Sequence, residues 1–242
     1  MASIHSSSST FVQSLGVIVV SELGDKTFFI AALLSMRYSA VQAFIGASGA
    51  LVAMTILSTS MGNLIPFLLD EDVRHWMTVA LFLGFGFKLL HEAYNMDNTK
   101  PNEELEDAEE EISGLDMEKG GARQLKTTSG CLNRLAKAFR YCVNVCQRRF
   151  SRVIGPVAAQ AFSMTFIAEW GDRSQIATIT LAAHKDPLAV TLGSCLGHLL
   201  CTGIACVGGQ FFSEKVSERV IAGAGGLLFV TFGALECLFP EF

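Results

Sequence analysis

Glu22-Leu23-Gly24-Asp25-Lys26-Thr27 returns as Glu169-Trp170-Gly171-Asp172-Arg173-Ser174, and both copies lie inside long apolar runs. Each copy carries two carboxylates, a base and a hydroxyl at identical spacing. A charged residue at the centre of a membrane span costs roughly 2.5 to 3.5 kcal/mol, so six of them unpaired would oppose insertion by something on the order of 15 kcal/mol. Such groups are retained where they pair with one another or handle an ion.

If the motifs are locally helical, Glu22, Asp25 and Lys26 stand at i, i+3 and i+4 on one face, as do Glu169, Asp172 and Arg173. Together the two faces hold four carboxylates, two bases and the hydroxyls of Thr27 and Ser174. Oxygen-rich clusters suit hard dications such as Ca2+ and Mn2+, whereas Zn2+ or Cu+ sites more often use His or Cys. Four ionised carboxylates and two cationic bases leave a charge of -2, which one dication or two protons would neutralise. Crowded carboxylates also raise one another's proton affinity, which makes a proton carrier of one of them. The residue-level assignment has Glu22 and Glu169 as ligands and proton carriers. Asp25 and Asp172 either coordinate or hold the bases in ion pairs within each motif, Lys26 and Arg173 balance charge, and Thr27, Ser174 and Gln175 add neutral oxygens. The alternative is a set of buried salt bridges that merely fixes a helix interface.

The elements that position these groups are membrane spans. Half of the 242 residues are hydrophobic, only 17% are charged, and the mean hydropathy is +0.41. Six apolar stretches approach the length that crosses a roughly 30 Å hydrocarbon core: Phe11 to Met36, Val41 to Met61, Trp76 to Glu92, Gly155 to Ala183, Leu188 to Gln210 and Val220 to Phe239. Pro156 and Pro187 fall near expected helix starts. The serine-rich Met1 to Thr10 reads as a short tail, too short for an ordinary transit peptide and without the basic segment of a signal peptide.

Sliding the chain on itself by 147 residues aligns Glu22 with Glu169, Gly46 with Gly193, Gly62 with Gly209, and Phe85-Gly86 with Phe232-Gly233, without a gap. The reading is therefore an all-α polytopic membrane protein: a tail at 1–10, a three-helix repeat at 11–92, a linker at 93–152 and a second three-helix repeat at 153–242. An odd number of spans per copy inverts the second copy relative to the first. Gly24 and Gly171 are suitable places for a helix break. Gly46-x-x-x-Ala50 and Gly193-x-x-x-Gly197 read as generic small-residue packing.

Lys and Arg concentrate on one side: Arg37, ten residues of the linker, Lys215 and Arg219, against Arg74 and Lys185 on the other. The positive-inside rule makes the linker cytosolic and both termini lumenal or extracellular. Within the linker an acidic run, Glu103 to Glu111, reads as solvated and disordered. A basic run, Arg123 to Arg152, spaces Leu132, Leu135, Phe139, Cys142 and Val143 as an amphipathic helix suited to an anionic lipid surface. The seven cysteines show no zinc spacing; Cys195, Cys201, Cys206 and Cys237 read as packing residues in spans. Lys88, His91 and Glu92 read as snorkelling at a span end, His198 as a packed histidine, and Glu236 as interfacial.

At the paired motifs the chain resembles the GDT family of calcium and manganese cation/proton exchangers, which includes the Golgi transmembrane protein linked to glycosylation defects and related chloroplast and bacterial proteins. The shared signature is Glu-x-Gly-Asp-(Lys/Arg)-(Thr/Ser) in two copies, both complete here. The resemblance implies a six-helix inverted-repeat transporter with Glu22, Asp25, Glu169 and Asp172 in the cation pathway. It implies no enzyme activity and no resident cofactor. Its partners are Ca2+ or Mn2+, protons and the bilayer; nucleic acid is not among them, and a homo-oligomer is compatible. It also implies Mn2+ supply to lumenal glycosyltransferases from a Golgi or related secretory-pathway membrane. Competing classes are a cation channel with a carboxylate ring, a membrane-embedded hydrolase, for which no nucleophile or phosphate loop is present, and a scaffold.

Overall fold

The computed structural model describes residues 2–95, 105–110, 112–113, 155–215 and 218–238. All the elements among them are helices: α1 (Ala2–Glu22), α2 (Lys26–Arg37), α3 (Ala40–Leu64) with a 3-10 turn at Ile65–Phe67, α4 (Glu71–Asn95), α5 (Pro156–Ala168), α6 (Arg173–His184), α7 (Pro187–Lys215) and α8 (Glu218–Leu238). Pro156 and Pro187 open α5 and α7, where a missing N–H leaves no bond unmade.

Among the described residues four helices are long and apolar enough to cross a membrane: α3 with its 3-10 extension, α4, α7 to Gly208, and α8 from Arg219. The first and fourth expected spans are each divided in two by the charged motif. Their pieces fall short singly: α5 is apolar but has 13 residues, and α2 and α6 have 12 each. Helix α1 also starts earlier than expected, at Ala2 rather than near Phe11. Its serine-rich turns are held by packing: Thr10 is buried and the Ser7 hydroxyl donates to Asp186 at 3.2 Å.

The short helices after the motifs form the heart of the bundle. Thr27 through Leu34 are all buried, as expected of a helix apolar on every side. Helix α2 packs on α7, and α6 packs on α3. Phe28, Phe29 and Leu34 join Ala43, Ala161 and Met164 in one core cluster, while Phe82, Leu181, Val190 and Phe229 form a second. Large apolar side chains such as Phe67, Leu68, Val207 and Val220 are mostly exposed, as on a surface that meets lipid.

Backbones approach closely at glycines related by the 147-residue offset. A Cβ on Gly46 would run into the Ala158 carbonyl and Ala161; one on Gly193 would run into the Phe11 carbonyl and Ser14. A Cβ on Gly86 would meet Val230, and one on Gly233 would meet Leu83. Adding 147 to one member of each contact and subtracting it from the other gives the partner contact. The small-residue positions are therefore required by specific crossings rather than being generic.

The acidic linker run differs from its expectation. Residues 105–110 and 112–113 are helical, and Ala108 and Ile112 are fully buried against the first core cluster, with Leu105 packed beside it. Apolar residues at i, i+3 and i+7 supply one buried stripe, which outweighs the acidic composition of the other faces. The basic run from Arg123 to Arg152, with Cys131, Cys142 and Cys146, lies outside the described residues.

Candidate cation site

Both motifs fold into the same turn. Helix α1 ends at Glu22, Gly24 takes φ +80°, Asp25 is extended (φ -76°, ψ 164°), and α2 begins at Lys26. In the second copy Glu169 follows the end of α5, Gly171 takes φ +86°, Asp172 is extended (φ -71°, ψ 167°), and α6 begins at Arg173. The Asp25 N–H donates to the Glu22 carbonyl at 3.3 Å, and the Asp172 N–H to that of Glu169 at 3.2 Å. Left-handed φ is cheap only for glycine, so Gly24 and Gly171 permit the break. The expectation of one continuous helical face is thereby corrected: each glutamate ends one helix and each aspartate takes the N-cap position of the next.

The break gathers the glutamates and hydroxyls. Glu22 and Glu169 are 3% and 2% exposed. The Thr27 hydroxyl donates to Glu22 Oε2 at 3.3 Å, and the Ser174 hydroxyl to Glu169 Oε2 at 3.2 Å. The remaining oxygens, Glu22 Oε1 and Glu169 Oε1, are buried without a hydrogen-bond partner. Two such atoms are costly unless something else satisfies them.

The aspartates play a different part from the glutamates. Asp172 Oδ2 accepts from the Ser174 N–H at 3.1 Å and so caps α6, whereas Asp25 makes no such bond to α2. We expect Asp172→Ala to lower stability by about 1 kcal/mol and Asp172→Asn to change it by only a few tenths, because asparagine caps equally well. Thermal unfolding of both variants checks this; equal losses would mean that charge, not capping, matters there. Arg173 crosses between the motifs: it lies 3.5 Å from Asp25, 3.8 Å from Glu92 and 3.9 Å from Asp172. The expected ion pair inside one motif is thus extended to the other motif and to α4. Lys26 is the first residue of α2 and half-buried. The amide oxygen of Gln175 accepts from the Gly171 N–H at 2.7 Å, so it braces the turn.

Two cavities flank these groups. One of about 80 Å³ is lined by Ser21, Gly24, Asp25, Glu92, Arg173 and Phe229. A smaller one of about 10 Å³ is lined by Leu51, Ser58, Glu169, Ser174, Gln175 and His198. His198 Nδ1 is 3.5 Å from Glu22 Oε1. Repeat logic misses both His198 and Glu92, because their counterparts at the 147-residue offset are Leu51 and Phe239. Glu92 also sits 3.6 Å from Lys88, and the His91 ring is 3.0 Å from the Asn95 amide. Cys195, Cys201, Cys206 and Cys237 are free thiols.

The family described as "Divalent cation/proton antiporter GDT1" matches residues 10–97 and 157–239. Over 231 residues the chain is 40% identical to GDT1-like protein 4 of Oryza sativa subsp. indica, covering 95% of this chain and 73% of that one. It is 38% identical to GDT1-like protein 3 of Arabidopsis thaliana over 229 residues, 94% of this chain and 70% of the relative. A GDT1-like protein of Synechocystis sp. is 41% identical over 226 residues, 93% and 95% of the two chains. No solved structure matches.

Proposed function

We propose a transport reaction for this site from one premise: the chain belongs to the GDT1 family of divalent cation/proton antiporters. Its members are antiporters, not enzymes. In this reading Glu22 and Glu169 bind Ca2+ or Mn2+ through their open oxygens, and Thr27 and Ser174 hold the other two in place. The observation that carries it is the pair of buried oxygens Glu22 Oε1 and Glu169 Oε1, neither of which accepts a hydrogen bond, with the His198 ring 3.5 Å from the first. A dication between them satisfies both atoms and cancels two charges; on the return leg protons do the same. Asp25, Asp172, Lys26 and Arg173 set the surrounding charge, Arg173 tying the two motifs together while the glutamates exchange their load.

Six spans follow if α1 with α2, and α5 with α6, each cross the membrane as one discontinuous helix. The exchanged glycine contacts at the 147-residue offset support two inverted three-span repeats around the site. Apposed helix breaks then sit at the repeat interface, where rocking of one repeat against the other would expose the glutamates to each side in turn. Charge on the loops supports a cytosolic linker with lumenal termini. A Golgi or related secretory-pathway membrane, with delivery of Mn2+ to lumenal glycosyltransferases, is the physiological setting we assign.

Uptake of Mn2+ and Ca2+ into proteoliposomes, with and without an imposed pH gradient, tests the reaction. Accumulation above the external concentration that requires the gradient is expected. Downhill flux indifferent to pH would instead make the protein a channel, and no flux from folded protein would remove the transport reading.

A further inference from the structure

We propose that His75, His184 and Glu236 form a second metal site, for a borderline first-row dication of the Zn2+ class, at the end of the bundle away from the central linker. The inference does not rest on the transport reading, since it uses none of the residues of the paired motifs.

The three residues come from separate helices: His75 from the first turns of α4, His184 from the last residue of α6, and Glu236 from near the end of α8. One ligand atom from each lies within 4.8 Å of the others. Glu236 Oε1 is 3.0 Å from His184 Nε2 and 3.9 Å from His75 Nδ1. Two ligands of one tetrahedral zinc ion stand roughly 3.3 Å apart, so small side-chain adjustments bring all three into a first coordination sphere. Two imidazoles and one carboxylate are a nitrogen-rich donor set that favours Zn2+ over Ca2+.

Two further observations point to a ligand rather than to a packed salt bridge. Glu236 is only 1% exposed, against the interfacial position expected from the sequence, and its Oε1 is shared between the two histidine rings, while buried His75 Nδ1 makes no hydrogen bond. The other carboxylate oxygen, Oε2, is held 3.0 Å from Lys185 Nζ, which fixes the orientation of Glu236 as an outer partner does for a metal-bound carboxylate. Glu236 and Lys185 cancel, so the pocket is neutral before the ion arrives when both imidazoles are neutral.

The cluster is also absent from the repeat. At the 147-residue offset His75, His184, Lys185 and Glu236 correspond to Ala222, Arg37, Tyr38 and Leu89. Duplication of a three-helix unit did not demand these residues, and they mark one end of the bundle only. An ion there would clamp α4, α6 and α8 together, and α6 begins with Arg173 and Ser174 of the second motif.

Co2+ is the probe, because its visible absorption reports tetrahedral nitrogen and oxygen ligands. It is titrated into purified protein carrying Glu22→Gln and Glu169→Gln, which removes the paired-motif ligands. One equivalent should bind, be displaced by Zn2+ and resist Ca2+. His75→Asn and His184→Asn should each weaken it on the order of 100-fold. His75 makes no hydrogen bond through Nδ1, so the first of these variants sacrifices none there. His75→Cys should restore binding and add a sulfur-to-cobalt charge-transfer band, which no purely structural role of His75 would produce. Absence of a Co2+ band in folded protein, or a band that His75→Asn leaves unchanged, overturns the proposal.

Discussion

Glu22→Gln and Glu169→Gln each lower gradient-driven Mn2+ and Ca2+ uptake by roughly 30- to 4,000-fold, while Thr27→Ala and Ser174→Ala leave a larger residue of activity. Glutamine keeps the size of glutamate but mimics its protonated form, so it can neither ligate a dication as an anion nor exchange a proton. Removing one member of a buried charge set costs about 2 to 5 kcal/mol, and each 1.4 kcal/mol is tenfold. The two variants should fail alike because the glutamates are alike: both are almost fully buried, both accept a hydroxyl on Oε2, and neither Oε1 accepts a hydrogen bond. The cation must displace protons to bind, so uptake at fixed low cation concentration should rise with pH on the loading side in the unmodified protein and lose that dependence in the variants. Radiotracer uptake into proteoliposomes reads both effects. A variant that retains full gradient-driven uptake would remove its glutamate from the pathway.

Gly46→Leu and Gly193→Leu strongly destabilise the bundle, whereas Gly84→Leu is nearly neutral. The first two positions have no room: a single Cβ at Gly46 already overlaps the Ala158 carbonyl, and at Gly193 it overlaps the Phe11 carbonyl and Ser14. Backbone cannot swing aside as a side chain can. Overpacking a core typically costs 1 to 3 kcal/mol, and about that or more is expected here, where the obstruction is main chain on a neighbouring helix. Gly84 is exposed with nothing within 4 Å of the place a Cβ would take, so a leucine there only adds apolar surface toward lipid. The measurement is the yield of monodisperse detergent-solubilised protein and its thermal midpoint. Equal behaviour of the three variants would contradict the helix crossings described above.

Much of the site is legible in residue types and their spacing. Six charges inside apolar runs stand out whatever the fold, because the bilayer makes unpaired charge expensive in any arrangement. Their duplication at a constant offset is likewise a property of the letters, and so are the break positions, since Gly24 and Gly171 are the residues of their motifs for which positive φ is cheap. Within each motif the glutamate and the hydroxyl meet, Glu22 with Thr27 and Glu169 with Ser174.

What the letters do not contain is whatever depends on which surfaces meet. Hydropathy predicts continuous spans where the motifs end one helix and begin another, since it averages across breaks of three residues in the first copy and four in the second. Composition makes the acidic linker run a solvated one, yet its Ala108 and Ile112 are buried by contact with a distant core. His198 and Glu92 escape a repeat argument because it selects residues that have a counterpart, and these two face Glu22 and Arg173 without one. Glu236 lies 161 residues from His75 in the chain and 3.9 Å from it in space. Local pattern and solvent preference are set by residue identity along the chain; the pairing of distant side chains is set by the packing of α4, α6 and α8, and only the folded bundle supplies it.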